Sequence, residues 1–216
     1  HYSDSIVIGF SHLHLNGTGC SDTGDILFMP YIGNARTQPG TQQDPLSGYA
    51  SLYSKDNEQA LPGYYEVLLK THNTKVELTA SDRVAFHRYT FPKDAEKHVM
   101  INLKDANGDD RPTNTYLEQM NDTVIRGYRH STGWSKKQQI YFTAVFSQPI
   151  HLALYHDSVQ VAGNHLQGLD VKGNVSIVST KEELCVKVGI SPVSMDNAMG
   201  NIQQEIKNWD FEKIVE

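Results

Sequence analysis

His12 and His14 stand two apart near the end of a stretch that alternates like a β-strand, with Ile6, Ile8 and Phe10 set against Val7 and Gly9. Side chains at that spacing share one face, so the two imidazoles form an edge able to grip a ligand or a metal ion. The polar run continues through Asn16, Thr18, Cys20 and Asp22, interleaved with Gly17 and Gly19 and closed by Gly24. Glycines let the backbone take positive φ and approach a ligand closely, and this many polar groups exceed what a turn needs. A plainer reading stays open, in which Asn16-Gly17 is a hairpin turn and nearby backbone satisfies the histidines. Metal binding by this loop is disfavoured, since neither an Asp-His pair nor a third histidine follows closely. Cys20 as a nucleophile would need a general base and an orienting group, neither of which the sequence places.

Three other groups invite a chemical reading. Asp105, Asn107 and Asp109 imitate the start of a calcium loop, but glycine falls at the fourth place and Tyr116 occupies the twelfth, where a bidentate carboxylate is required. An Asn107-Gly108 hairpin turn with solvated acids accounts better for that segment. Glu77, Arg83, His87 and Arg88 read as structural ion pairs. Trp134 has the shape to stack on a sugar ring, yet its place at a strand entrance favours a core cap.

Charge narrows the partners. With 19 basic and 25 acidic side chains among 216 residues, the formal charge of −6 is wrong for a phosphate-backbone binder, so no nucleic acid is expected. No apolar run approaches the roughly 20 residues that span a bilayer, which predicts no membrane span, and no signal peptide is recognisable. Two cysteines, Cys20 and Cys185, are too few for a disulfide framework and read as free thiols.

The elements that must position these residues are mostly strands. Alternation or short apolar runs predict strands at Asp25 to Pro30, Pro62 to Leu69, Lys75 to Ala80, Arg83 to Phe91, His98 to Leu103, Thr123 to His130, Gln139 to Ser147, Ile150 to Tyr155, Ser158 to Ala162, Val175 to Val178 and Leu184 to Ile190. Neither face of the Arg83 to Phe91 stretch is plainly polar, which implies cover on both sides. Tyr31 to Ser47 reads as a long surface excursion. From Ser194, as N-cap, Met195, Ala198, Met199, Ile202, Ile206 and Trp209 fall at helical spacing. Many strands and a single terminal helix argue for an all-β fold, a large antiparallel β-sandwich with a C-terminal connector helix.

The residues Phe10-Ser11-His12, His14-Leu15, Gly17, Gly19-Cys20, Asp22 and Gly24 resemble the opening signature of glycoside hydrolase family 92, the calcium-dependent exo-acting α-mannosidases. Later blocks resemble the family in order: Pro62-Gly63-Tyr64-Tyr65, Glu77-Leu78-Thr79-Ala80, Arg83, His87, Tyr89, Phe91-Pro92, Gly133-Trp134, Gln139 to Phe142, and Phe146-Ser147. The resemblance implies a two-sheet supersandwich of the galactose mutarotase-like type over residues 1–193. It further implies a connector helix over 194–216 leading to a helical catalytic domain absent from this chain. By the same resemblance the full protein is an inverting exo-α-mannosidase, with α-1,2-linked mannose of high-mannose N-glycans as the expected substrate. Its catalytic acid, base and most calcium ligands belong to the helical domain, so none is assigned here. Left to this chain is the wall of the sugar pocket, with His12, His14, Thr18, Gly19 and Cys20 as the substrate-facing residues. Leu13 and Asn16 depart from the family's usual threonine and serine. A secreted or periplasmic location is implied by resemblance alone. Two rivals remain: a stand-alone carbohydrate-binding module and a mutarotase-like epimerase.

Overall fold

The computed structural model describes residues 5–13, 23–41, 43–44, 46–106 and 108–215. The strands run in chain order as β1 (Ile6–Val7), β2 (Leu27–Ile32), β3 (Ser51–Leu52), β4 (Glu58–Leu61), β5 (Tyr64–Leu69), β6 (Thr74–Ala80), β7 (Val84–Thr90) and β8 (Lys97–Asn102). They continue as β9 (Arg111–Gln119), β10 (Val124–Thr132), β11 (Gln138–Phe146), β12 (Ile150–His156), β13 (Val159–Val161), β14 (His165–Gly168), β15 (Val171–Ile177) and β16 (Glu183–Ser191). A nine-stranded sheet in the order β14-β9-β10-β11-β16-β7-β6-β5-β4 faces a five-stranded sheet in the order β13-β12-β15-β8-β2, and β1 pairs with β3 in a small ribbon. The pairings among these strands are antiparallel, as the alternating patterns require.

The core fills the space between the two sheets. Ile140, Phe142, Ala144 and Phe146 of β11 line its middle beside Leu184, Val186 and Val188 of β16, opposite Val99 and Ile101 of β8 and Val175 of β15. Each large side chain so buried contributes about 1.5 to 3 kcal/mol, and a one-residue slip of β11 would turn all four outward. A second cluster lies on the outer side of the nine-stranded sheet, where Val84 and Phe86 of β7 and Cys185 of β16 meet Ile202, Ile206 and Phe211. β7 is therefore covered on both faces, as its composition implies. Cys185 is a free thiol, pushed up to about 12 mainly by burial.

The helix that supplies this outer cover is α1 (Met195–Glu205), capped by Ser194, whose Oγ accepts from the Asn197 N–H at 3.0 Å. It packs tightly against the sheet at Gly189, where a Cβ would lie 2.2 Å from the Ala198 carbonyl oxygen. Helical spacing read from sequence runs on to Trp209, but α1 stops at Glu205. Lys187 Nζ, buried beneath, donates to the Ile206 carbonyl at 3.0 Å, and the Trp209 ring covers the same ammonium at 4.1 Å. Trp209 thus meets the sheet through a cation–π contact and through Phe86, out of helical register. A final turn, α2 (Glu212–Val215), ends the described chain.

Two expectations fail here. β8 and β9 belong to different sheets, so the connection through Asp105 and Asp110 crosses between layers and is no hairpin; Asp110 is buried, not solvated. Trp134 is 74% exposed on the β10–β11 turn, so it caps no core. The ion pairs expected around β6 and β7 are present as Glu77–Arg88 at 2.7 Å and Arg83–Glu205 at 2.6 Å, whereas His87 has a different partner.

Candidate functional site

The two stems that flank the polar stretch, ending at Leu13 and resuming at Thr23, are pinned side by side. Phe10 and Phe28 exchange backbone hydrogen bonds of 2.9 and 3.0 Å, the His12 N–H donates to the Asp25 carbonyl at 3.1 Å, and the Gly24 N–H donates to the Leu13 carbonyl at 2.6 Å. The returning stem is strained. Thr23 and Ile26, both β-branched, adopt φ of 67° and 60°, beside Gly24 at 82°. Left-handed backbone at such residues costs on the order of 1 to 3 kcal/mol each and persists only where surrounding contacts dictate it.

One set of those contacts centres on His12. Its Nδ1 lies 2.7 Å from the Ile26 carbonyl oxygen, so this nitrogen carries the proton and donates. The bare Nε2 then accepts from His87 Nε2–H at 2.9 Å, and His87 Nδ1 accepts from the Tyr89 hydroxyl at 2.6 Å. The two imidazoles are nearly coplanar, with centroids 4.9 Å apart and 13° between planes, as an in-plane N–H···N bond requires, and Phe28 meets His12 edge to face. Burial holds His12 down at about 4 and His87 well below the usual histidine range, the latter helped by the neighbouring His12. Both rings are neutral at ordinary pH, and both nitrogens of His12 are engaged within the protein.

A second set is ionic. Arg129 of β10 is fully buried, and its Nη1 contacts both Asp25, on the returning stem, and Asp110, before β9. Arg129 Nε also donates to the Leu103 carbonyl at 3.0 Å, and Gln138 at the start of β11 donates to Asp25. Burial raises Asp25 to about 6 against the lowering pull of Arg129, and the Asp110 charge adds to the rise. Through Gln138, the β10–β11 turn carrying Trp134 is tied to the root of the loop.

Of the substrate-facing residues named from sequence, His12 is placed as described, at the root of the loop. His14, Thr18, Gly19 and Cys20 lie outside the described residues. Sequence reasoning did not connect His12 with His87, nor Asp25 and Asp110 with Arg129, because separations of 75, 104 and 19 residues carry no local signal. Among the described residues, no group of three or more histidine, cysteine, aspartate or glutamate side chains is placed to hold a metal ion, so no calcium set is assigned to them. Among those residues, too, no helix is long and apolar enough to cross a membrane.

Two facing antiparallel sheets with a helix packed on the outer face of the larger one make the chain a β-sandwich domain. Residues 1–191 match the model of the glycosyl hydrolase family 92 N-terminal domain, and the chain belongs to that family. Its structure is similar to a family GH92 α-mannosidase from Bacteroides thetaiotaomicron at a TM-score of 0.93 and 33% identity, over 99% of this chain and 30% of that one. It shares the fold of a family GH92 inverting mannosidase from the same species at a TM-score of 0.82 and 20% identity, over 99% and 28% of the two chains. In sequence it is 24% identical over 247 residues to an uncharacterized secreted glycosidase of Arthroderma benhamiae, covering 97% of this chain and 30% of the relative. The chain thus spans about 30% of the length of these relatives.

Proposed function

We propose that the chain is the N-terminal domain of an inverting, exo-acting α-mannosidase, and that its loop from His12 to Asp22 forms one wall of the pocket for a terminal mannose. The substrate is a mannose-containing oligosaccharide, α-1,2-linked as in high-mannose N-glycans. Catalytic acid and base belong to a helical domain that follows in the same protein, as does most of the coordination of a calcium ion. His14, Thr18, Gly19 and Cys20 face the sugar, while His12 holds the stem beneath them. A secreted or periplasmic location accompanies this reading, in keeping with the secreted relative.

The observation that carries the proposal is the pinned neck. A strained return at Thr23 and Ile26, held by a buried histidine pair and a buried ionic cluster, is what a displayed recognition loop needs and a plain turn does not. Inversion requires an acid on the leaving oxygen and a base on the opposite face with a water between them. A loop on the β-domain serves that reaction by fixing the sugar against those two groups.

The test is proton NMR of mannobiose cleavage by the enzyme encoded by the whole reading frame. The expected first product is β-mannose, and Gly19→Val is expected to lower kcat/KM by about a hundredfold through misplacement of the sugar. Release of α-mannose, or full activity of the Gly19→Val enzyme, overturns the reading. A second reading, a carbohydrate-binding module acting alone, is favoured by the exposed ring of Trp134. It requires mannose binding that Trp134→Ala abolishes.

A further inference from the structure

Residues 104–106, 108 and 110–112, the end of β12 and residues 169–170 before β15 border an open cleft of about 620 Å³. That volume suits a small ligand such as one or two sugar rings. Asp110 forms part of its wall, with a side chain only 1% exposed. One carboxylate oxygen of Asp110 is engaged by Arg129, and the other, Oδ1, has no hydrogen-bond donor. Buried carboxylate oxygens without a donor are rare, because water or a protein group almost always reaches them.

Neighbouring groups define what would fill the gap. Asp170, also in the wall, pairs with Lys104 at 2.9 Å and Lys172 at 3.7 Å, yet neither of its oxygens makes an aligned hydrogen bond. Burial opposes its charge, but the two lysines hold it below the usual carboxylate range, so it remains an acceptor. Lys104, with its side chain 41% exposed, and the exposed Arg111 bring donors to the same cleft. Leu169, 58% exposed, adds an apolar surface. The wall carries four acids, Asp105, Asp110, Asp157 and Asp170, against two bases, Lys104 and Arg111, with Lys172 and Arg129 behind it and Arg129 shared with Asp25. That excess of acceptors disfavours an anion and calls for a ligand rich in donors, and among the described residues no group of three or more His, Cys, Asp or Glu is placed to hold a metal ion.

We propose that this cleft is a binding site for a neutral polyhydroxyl ligand, a saccharide unit whose hydroxyls donate to Asp110 Oδ1 and Asp170 and accept from Lys104 and Arg111. An apolar sugar face then lies against Leu169. The inference goes beyond the loop and does not rest on the loop's assignment as a pocket wall.

The test is an amide NMR titration of the 216-residue chain with methyl α-mannopyranoside. Saturable shifts at Lys104, Asp105, Gly108, Asp157 and Asp170 in the millimolar range are expected, weakened about tenfold by Asp110→Asn, which removes an acceptor charge. Because D110N also strips Arg129 of a partner, Ala106→Trp, which fills the cleft without touching an ion pair, is run beside it and is expected to abolish the shifts. Gly19→Val is expected to leave them unchanged, so failure of the loop reading and failure of this one are separable. No response at these amides, shifts confined to the surroundings of Trp134, or shifts produced by calcium chloride and not by the sugar would each overturn the proposal.

Discussion

Two buried polar clusters hold the root of the same loop, and they solve the problem of burial in opposite ways. The His12–His87–Tyr89 chain gives up its charge: burial keeps both rings neutral, and each nitrogen finds a neutral partner. The Asp25–Arg129–Asp110 cluster keeps charge and surrounds it, with Nη1 of one guanidinium serving two acids. Neutral chains fail gently when a member is lost, because what remains is a single orphaned donor or acceptor. Ionic clusters fail hard, because what remains is an uncompensated charge.

The sharpest break is Arg129→Met. It leaves Asp25 and Asp110 facing each other without a cation, and a loss of about 3 to 5 kcal/mol is expected in urea unfolding. His87→Phe keeps an aromatic ring in place but leaves His12 Nε2 and the Tyr89 hydroxyl without their partner, for an expected loss of about 1 to 3 kcal/mol by the same measurement.

Acid distinguishes the clusters by sign. Because His12 titrates at about 4 in the fold and near its ordinary value of 6.5 when unfolded, the unfolded chain binds more protons between those values, and the pair's contribution is lost as pH falls through that window. Asp25, raised to about 6 from 3.8, works the other way: its contribution is present below 3.8 and lost as pH rises toward 6. Melting temperature should therefore fall more steeply from pH 6.5 to pH 4 in Asp25→Asn than in the parent, and less steeply in His87→Phe. An unchanged slope in both variants would show that neither cluster controls acid stability. Smallest of all, Trp134→Ala is expected to change stability by less than about 0.5 kcal/mol, since its ring is mostly in solvent.

Most of the sandwich is legible in the sequence because alternation reports a half-buried strand directly, as at Ile140 to Phe146 and Leu184 to Ile190. β9 escapes that reading. Its inward positions are Thr115 and Leu117 only, while Pro112, Asn114 and Glu118 make the stretch look like a loop. The end of α1 is misjudged because an apolar residue at helical spacing, Trp209, makes its contacts through Lys187 and Phe86 after the helix has ended. At the site, the glycines and histidines mark the stretch in the sequence, and the described stems on either side of it are held together. What holds the stems is illegible. Asp110 sits in an acidic, glycine-containing stretch that looks solvated, and Arg129 alternates among polar neighbours. The antiparallel pairing of β9 with β10 brings Asp110 beside Arg129, and the stem before β2 of the facing sheet adds Asp25.

The short bond from the Gly24 amide to the Leu13 carbonyl closes the loop at its neck. With the two stems fixed to each other there, the strands on either side keep their register whatever sequence lies between. On the proposed reading, replacing that segment with the equivalent one from a relative should transplant sugar recognition as a cassette.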